Sequence, residues 1–249
     1  MLGVRVIKVG GGDLEDALWL DRFAAGVKQA RPAVIVHGGG HCISAWQERL
    51  GIPVEKVDGI RVTTPETAEL AQMVLCGPVR ATIVLALRAH GVDAVGVAGG
   101  DGSLKVELID PEKLGRVGRV VEVNRALLLR LLDAGFTPVL APSSMGPDGL
   151  AVNVNADEAA AAVARALDAA ELLFVSDVPG VMRDGQTIPS VAAADLPQLI
   201  AAGVVRDGMV AKLKAAGQAG RARTRIGDLS MLTDPRGGTL VAANLEVAA

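Results

Sequence analysis

Two lysines, one aspartate and two runs of three glycines are the residues of this chain whose types and spacing point to chemistry. The first triplet, in IKVGGG, ends at Gly12 and is preceded by Lys8; the second, in VHGGG, ends at Gly40. Each follows an apolar run that reads as a strand. Glycine at such a turn lets the chain bend at positive φ and lets backbone N–H groups approach an anion with no Cβ in the way. The helix that follows turns its N-terminus to negative charge. One triplet would be explained by turn geometry alone, whereas two, one of them beside a lysine, favour a phosphate-bearing ligand. From the strand end the Lys8 ammonium can reach over the loop towards a phosphoryl group in transfer; the bland alternative is a lysine snorkelling to solvent. Neither triplet fits GxxxxGK[ST], and GGGDLE does not fit GxGxxG, so P-loop and dinucleotide sites are disfavoured.

Downstream, NVNAD places Asn153 and Asp157 between an extended stretch and the helical DEAAAAVARAL. Asp157 could simply cap that helix. DGMVAKLKAA then offers Gly208 and Met209 at a helix start and Lys212 one turn in, with Lys214 on another, solvent-facing side. Phosphoryl transfer would combine two cations, two glycine loops and a carboxylate without a catalytic histidine, because its transition state carries spread negative charge. No general base is needed if the acceptor is already an anion. His37 reads as a structural histidine at a strand end. Arg61, in DGIRVTTPET, has the planar fork that holds a carboxylate, which suggests a small acidic acceptor; its alternative is a surface arginine. No Asp/Glu/His cluster has metal-ligand spacing, so Mg2+ would ride on nucleotide phosphates.

The elements that must position these groups alternate. Apolar runs at Val4 to Val9, Ala33 to Val36, Ala94 to Ala98, Thr137 to Ala141, Leu172 to Ser176 and Leu229 to Leu232 read as strands buried on both faces. Helical periodicity covers Leu14 to Ala30, Cys42 to Leu50, Thr64 to His90, Asn124 to Ala134, Ala156 to Leu167, Ala194 to Ala201 and Met209 to Ala219. The fold class is therefore α/β: an open, mostly parallel sheet between helices, with chemistry at the strand C-terminal ends. RVGRVVEVN, within Glu107 to Asn124, predicts a short antiparallel excursion. A seam between two lobes is placed near Ala170, giving 1–170 and 171–249.

Of 249 residues, 50% are hydrophobic, and 25 Lys+Arg stand against 28 Asp+Glu. That balance excludes disorder and a polybasic nucleic-acid-coating domain. Three Phe, two Trp and no Tyr leave no aromatic platform for single strands and call for an aliphatic core. Cys42 and Cys76, far apart and outside any CxxC, suit a reducing compartment, so the expected address is the cytoplasm. Charges interrupt the N-terminal apolar runs, and neither a signal segment nor a membrane span is expected.

Taken in order, IKVGGG, VHGGG, GIRVT, MVLCG, GRVVEVN, NVNAD, SDVPGV and GMVAK, from about Val4 to Thr239, resemble the amino acid kinase family. The similarity is to members that phosphorylate the γ-carboxylate of N-acetyl-L-glutamate with ATP in arginine biosynthesis. It implies a carbamate-kinase-like fold of two lobes, the first for acceptor binding and dimerisation and the second for nucleotide. It implies that Lys8 and Lys212 stabilise the transition state and that Asp157 organises them. Gly39, Gly40, Arg61 and Asn153 fall at acceptor positions, with Arg61 on the α-carboxylate. Gly11 and Gly12, Ser176, Asp177, Val178, Gly180 and Val181, and Gly208 with Met209 fall at nucleotide positions. Mg2+ would accompany ATP. Two departures stand out: Arg80 follows Val79 where the family usually has asparagine, and RIGDLSMLTDPRGGTLV lacks the usual DGR-type turn. Arginine-inhibited members carry an extra N-terminal helix, and here the first strand begins within a few residues of Met1, so an arginine-insensitive homodimer is expected. Two alternatives stay open at this point: a kinase of carrier-protein-linked aminoadipate, and a catalytically silent binding module, which would not need Lys8, Asp157 and Lys212 together.

Overall fold

The computed structural model describes residues 3–242. Its frame is an eight-stranded sheet in the order Ser190–Ala192, Thr239–Ala242, Arg223–Gly227, Glu171–Val175, Arg5–Val9, Ala33–His37, Thr137–Ala141, Ala94–Ala98. The six strands from Arg223–Gly227 to Ala94–Ala98 pair in parallel, and Thr239–Ala242 runs antiparallel to Arg223–Gly227. The chain thus winds to one side of Arg5–Val9 and later returns to the other, which puts a topological switch point beside Lys8. The sheet continues across residue 170, since Arg5 pairs with Glu171.

The central strands have no polar face because both faces are covered. Val6, Val34, Val36, Leu172 and Phe174 pack beneath the helix Ala156–Leu167, where alanines at 159–162 and 164 let the backbone lie close. Ile7, Val9, Ile35 and Leu173 pack on the opposite face with Phe23, Val27, Ile83 and Leu87 from the helices Ala17–Ala30 and Arg80–Ala89. A four-stranded sheet, Leu104–Leu108, Val117–Val123, Ala151–Val154, Ser143–Met145, includes the antiparallel excursion expected around RVGRVVEVN. Its Ala151–Val154 strand presents Asn153. Arg116 anchors it by donating to the Ala151 carbonyl at 3.0 Å and to both oxygens of Asp148, whose carboxyl is held down to about 2 by that guanidinium.

Two expectations are corrected. Leu229 to Leu232 is a short 3-10 turn, and the strand lies just before it at Arg223–Gly227. Two arginines in RTRIG hide that strand: Arg225 is 3% exposed because Glu171 and the carbonyls of Met231, Asp234 and Gly237 accept from it. Thr64 to His90 is not one regular helix. Pro65–Val74 and Arg80–Ala89 are joined by the turn Leu75–Val79, where Gly77 leaves helical geometry (φ −98, ψ −109) and Pro78 follows. The whole segment Pro65–Ala89 is long and apolar enough, by length and composition alone, to cross a membrane, as core helices of water-soluble folds also are, and Gly77 breaks it. Its buried side chains, among them Leu70, Val74, Leu75, Ile83 and Leu87, belong to the core of this fold.

Candidate active site

Lys8 is positioned by the pleat of its strand. Side chains alternate across a strand, so Lys8 emerges on the same face as Val6, beside Val36 and Phe174, under the start of the Ala156–Leu167 helix. At that helix start Asn155 is the cap: its Oδ1 accepts from Asp157 N at 2.8 Å and Glu158 N at 3.3 Å. Asp157 is therefore not the capping residue, and its carboxylate stands 2.9 Å from Lys8 Nζ. Both residues are 7% exposed. The distance is that of an ion pair, yet no aligned hydrogen bond satisfies Asp157 Oδ1 among the described residues. Desolvating two ions costs several kcal/mol each, and the attraction repays that only when the remaining valences are met. The pair is thus a poor stability device, and the snorkelling alternative for Lys8 is removed.

Close approach, and not positive φ, explains the glycines of the two loops. None of the residues in either triplet has left-handed φ, and Gly39 is extended at φ 174. A Cβ on Gly11 would lie 2.6 Å from Gly39 Cα, and one on Gly39 would lie 2.5 Å from Leu75 Cδ2. The loops therefore touch backbone to backbone. Among the described residues, neither Gly11 nor Gly39 gives its N–H to a protein acceptor. Gly12 is exposed, with open space where its Cβ would be.

Lys8, Gly11, Gly39, Gly40, Arg61, Asn153 and Asp157 line one cleft of about 270 Å³ at the ends of these strands. Arg61 is no surface arginine. It is 8% exposed, and its guanidinium donates to the Gly40 carbonyl and Ser44 Oγ, each at 2.8 Å, and to Gln47 Oε1. Burial lowers its pKa, and no carboxylate among the described residues pairs with it. A buried cation held only by neutral acceptors suits an anionic ligand. Asn153 Nδ2 reaches Thr63 Oγ1 at 3.4 Å, tying the strand Ala151–Val154 to the segment after Arg61. Ser44 and Gln47 hold the Arg61 guanidinium and were missed by the motif reading. Their signal was present, because Gly40, Ser44 and Gln47 follow i, i+4, i+7 spacing on one helix face.

Lys212 does not line this cleft. It sits in the helix Asp207–Ala216, where its Nζ lies 3.4 Å from Gly208 O. Burial pushes its ammonium below the usual lysine range, Asp157 pulls it back, Lys8 adds to the depression, and Asp177 again favours the charge. Lys212 thus lies within the field of Asp157, Lys8 and Asp177. Lys214 is exposed, as expected. Of the nucleotide-side positions, Ser176 donates to Asp177 Oδ1 at 3.1 Å, and Ser176 and Val178 are half-buried. Gly208 is exposed beside the half-buried Met209. Val181 is fully buried, its N–H given to Thr239 Oγ1 and its carbonyl accepting from Ile188 N, each at 2.8 Å, and Gly180 is packed against Thr187 and Thr239.

This fold and cleft define a class. The family model for the amino acid kinase family matches residues 3–226, and the chain belongs to that family. Among similar proteins, an acetylglutamate kinase from Chloroflexus aurantiacus is 47% identical over 247 residues, covering 96% of each chain. The solved structure of smu.665 from Streptococcus mutans UA159 has a TM-score of 0.86 at 28% identity, covering 97% of this chain and 99% of that one. Carbamate kinase from Giardia lamblia bound to AMP-PNP shares the fold, with a TM-score of 0.72 at 16% identity over 98% of this chain and 99% of its own.

His37, beside the second triplet, is fully buried, and burial lowers its pKa from 6.5 to about 4. It is neutral at pH 7. Between the folded and unfolded values the unfolded chain binds more protons, so this group adds stability that is complete above pH 6.5 and is lost as pH falls towards 4. A shift of that size corresponds to on the order of 3 kcal/mol. Urea denaturation at pH 7 and pH 4.5 is expected to show a fall in wild-type stability that His37→Asn reduces; an equal fall in both proteins would contradict the assignment.

Proposed function

We propose that this chain transfers the γ-phosphoryl group of ATP to the γ-carboxylate of N-acetyl-L-glutamate, forming N-acetylglutamyl 5-phosphate for arginine biosynthesis. The observation that carries the reading is the cleft itself. A buried Lys8–Asp157 pair lies at its back, 2.9 Å apart, and Arg61, buried without a carboxylate partner, lies at its side. The near-full-length similarity to an acetylglutamate kinase supports the acceptor.

The γ-carboxylate is an anion at neutral pH and attacks without a general base. One of its oxygens forms a bond to the γ-phosphorus as the bond to the β–γ bridging oxygen breaks, and ADP leaves with that electron pair. Lys8 and Lys212 oppose the charge that spreads over the phosphoryl oxygens. Asp157 holds Lys8 and offsets the repulsion between the two ammonium groups. The N–H groups of the glycine loops add fixed donors. Arg61 takes the α-carboxylate, with Asn153, Gly39 and Gly40 around the remainder of the acceptor. ATP occupies the second lobe, 171–249, along Ser176, Asp177, Val178, Gly180 and Val181 and the helix start at Gly208 and Met209, with Gly11 and Gly12 near its phosphates. Mg2+ enters with the nucleotide and is held mainly by those phosphates, Asp157 being committed to Lys8. The two cysteines are unpaired, in keeping with a cytoplasmic site.

A homodimer is part of the proposal. Among the described residues the strand Ala94–Ala98 ends the sheet with one edge unpaired, and Met73 and Leu85 on the Pro65–Ala89 segment are 70% and 67% exposed. Sedimentation equilibrium is expected to return twice the chain mass; a monomer at micromolar concentration would refute the dimer.

Acyl phosphate trapped as hydroxamate tests the reaction, with N-acetylglutamate, glutamate and aminoadipate offered separately. N-acetylglutamate is expected to be the preferred acceptor, and no product from it would overturn the reading. Lys212→Ala should lower kcat by about a hundredfold with little change in acceptor KM. Arg61→Ala should chiefly raise acceptor KM. The reverse pattern would mean that the two roles are exchanged.

A further inference from the structure

We propose that His37 is a positioning residue of the anion-binding loop, whose ring holds the Gly38 carbonyl and thereby turns the Gly39 N–H towards the transferring phosphoryl group. The inference rests on the phosphoryl-transfer reading and adds to it a residue that contacts neither substrate.

The argument follows the loop peptide by peptide. The peptide before Gly38 is fixed because Gly38 N donates to Val9 O at 2.8 Å. The peptide after Gly39 is fixed because Gly39 O accepts from Ile43 N at 2.9 Å, in the first turn of the helix Gly40–Leu50. Between them lies a peptide flanked by two glycines, which have the greatest backbone freedom of any residue. Its restraint is the contact of 2.9 Å between His37 Nδ1 and Gly38 O. A carbonyl only accepts, so Nδ1 carries the proton. In a trans peptide the C=O and N–H point to opposite sides, so a carbonyl drawn to the ring sends the Gly39 N–H away from it. That N–H has no protein acceptor among the described residues, and Gly39 lines the cleft.

The ring itself argues against a role in packing alone. It is fully buried, and with Nδ1 as donor its Nε2 is left as an acceptor that finds no partner among the described residues. An apolar side chain would fill the space without an unpaired nitrogen. What only a donor supplies is the hold on Gly38. Burial keeps the ring neutral at pH 7, so it acts as a hydrogen-bond donor and not as a base.

Two substitutions separate the ring nitrogens. Asparagine places its amide nitrogen near the Nδ1 position, whereas glutamine places its own near Nε2. His37→Asn is expected to keep kcat for N-acetylglutamate within about threefold of wild type, while His37→Gln and His37→Ala lower it by about ten- to a hundredfold with much smaller changes in both KM values. Equal losses in His37→Asn and His37→Gln, or no loss in any variant, would overturn the proposal. Nitrogen-15 NMR of the wild-type ring at pH 7 provides the arm that needs neither turnover nor a folded variant. An Nδ1-protonated neutral tautomer is expected, and an Nε2-protonated ring or an imidazolium would refute the clamp. If the wild type phosphorylated no acceptor, the phosphoryl-transfer reading would fail, while the NMR result would still decide the hydrogen bond.

Discussion

The structure turns on one ion pair, Lys8 with Asp157, buried where the first strand of the chain meets the first turn of a helix that begins about 150 residues later in the sequence. Removing one partner of such a pair from the interior costs about 3–5 kcal/mol, yet keeping both brings little net stability. The arrangement makes sense as a poised charge. Asp157 stands against the Lys8 ammonium, and its field also reaches Lys212 on a separate helix. Every larger feature serves this meeting. The parallel sheet brings the strand ends together, the alanines of Ala156–Leu167 let that helix sit low on the sheet, and Asn155 takes over the capping duty that would otherwise occupy Asp157.

A second constraint is distance between backbones. The two glycine loops approach so closely that a methyl group on Gly11 or Gly39 would overlap its neighbour. Their N–H groups are thereby concentrated beside the lysine, in a cleft whose walls include Arg61. The buried cation is held by Gly40, Ser44 and Gln47, all neutral, so its charge remains available. Such a site has fixed dipoles and cations in place before the ligand binds, and it needs little reorganisation when charge develops.

Much of this was legible in the amino-acid sequence, and the failures have physical causes. The strands Ala94–Ala98 and Thr137–Ala141 and the helix Ala156–Leu167 match their expected bounds, because each is an apolar run with clear boundary residues. Arg223–Gly227 was obscured because its buried arginine reads as a surface residue until Glu171 and three carbonyls are seen around it. The break at Gly77 was hidden inside continuous apolar periodicity. At the site, the residue types were legible, but the reason for the glycines was not: positive φ can be inferred from local sequence, whereas the 2.6 Å approach of Gly11 to Gly39 joins two separate turns. Gln47 was overlooked because its spacing marks a helix face shared with Gly40 and Ser44 but does not name the partner, Arg61, which lies farther along the chain. Lys212 was legible as a cation at a helix start, and its link to Asp157 comes only from the folded chain.

The central claim is that the ammonium groups of Lys8 and Lys212 serve one phosphoryl anion. A crystal structure of the protein with ADP, aluminium fluoride and N-acetylglutamate tests it most directly. Both Nζ atoms are expected within hydrogen-bond distance of the fluoride ligands, with Asp157 between them. If Lys212 pointed into a cavity with no access to that anion while Lys8 alone touched it, the account would be contradicted.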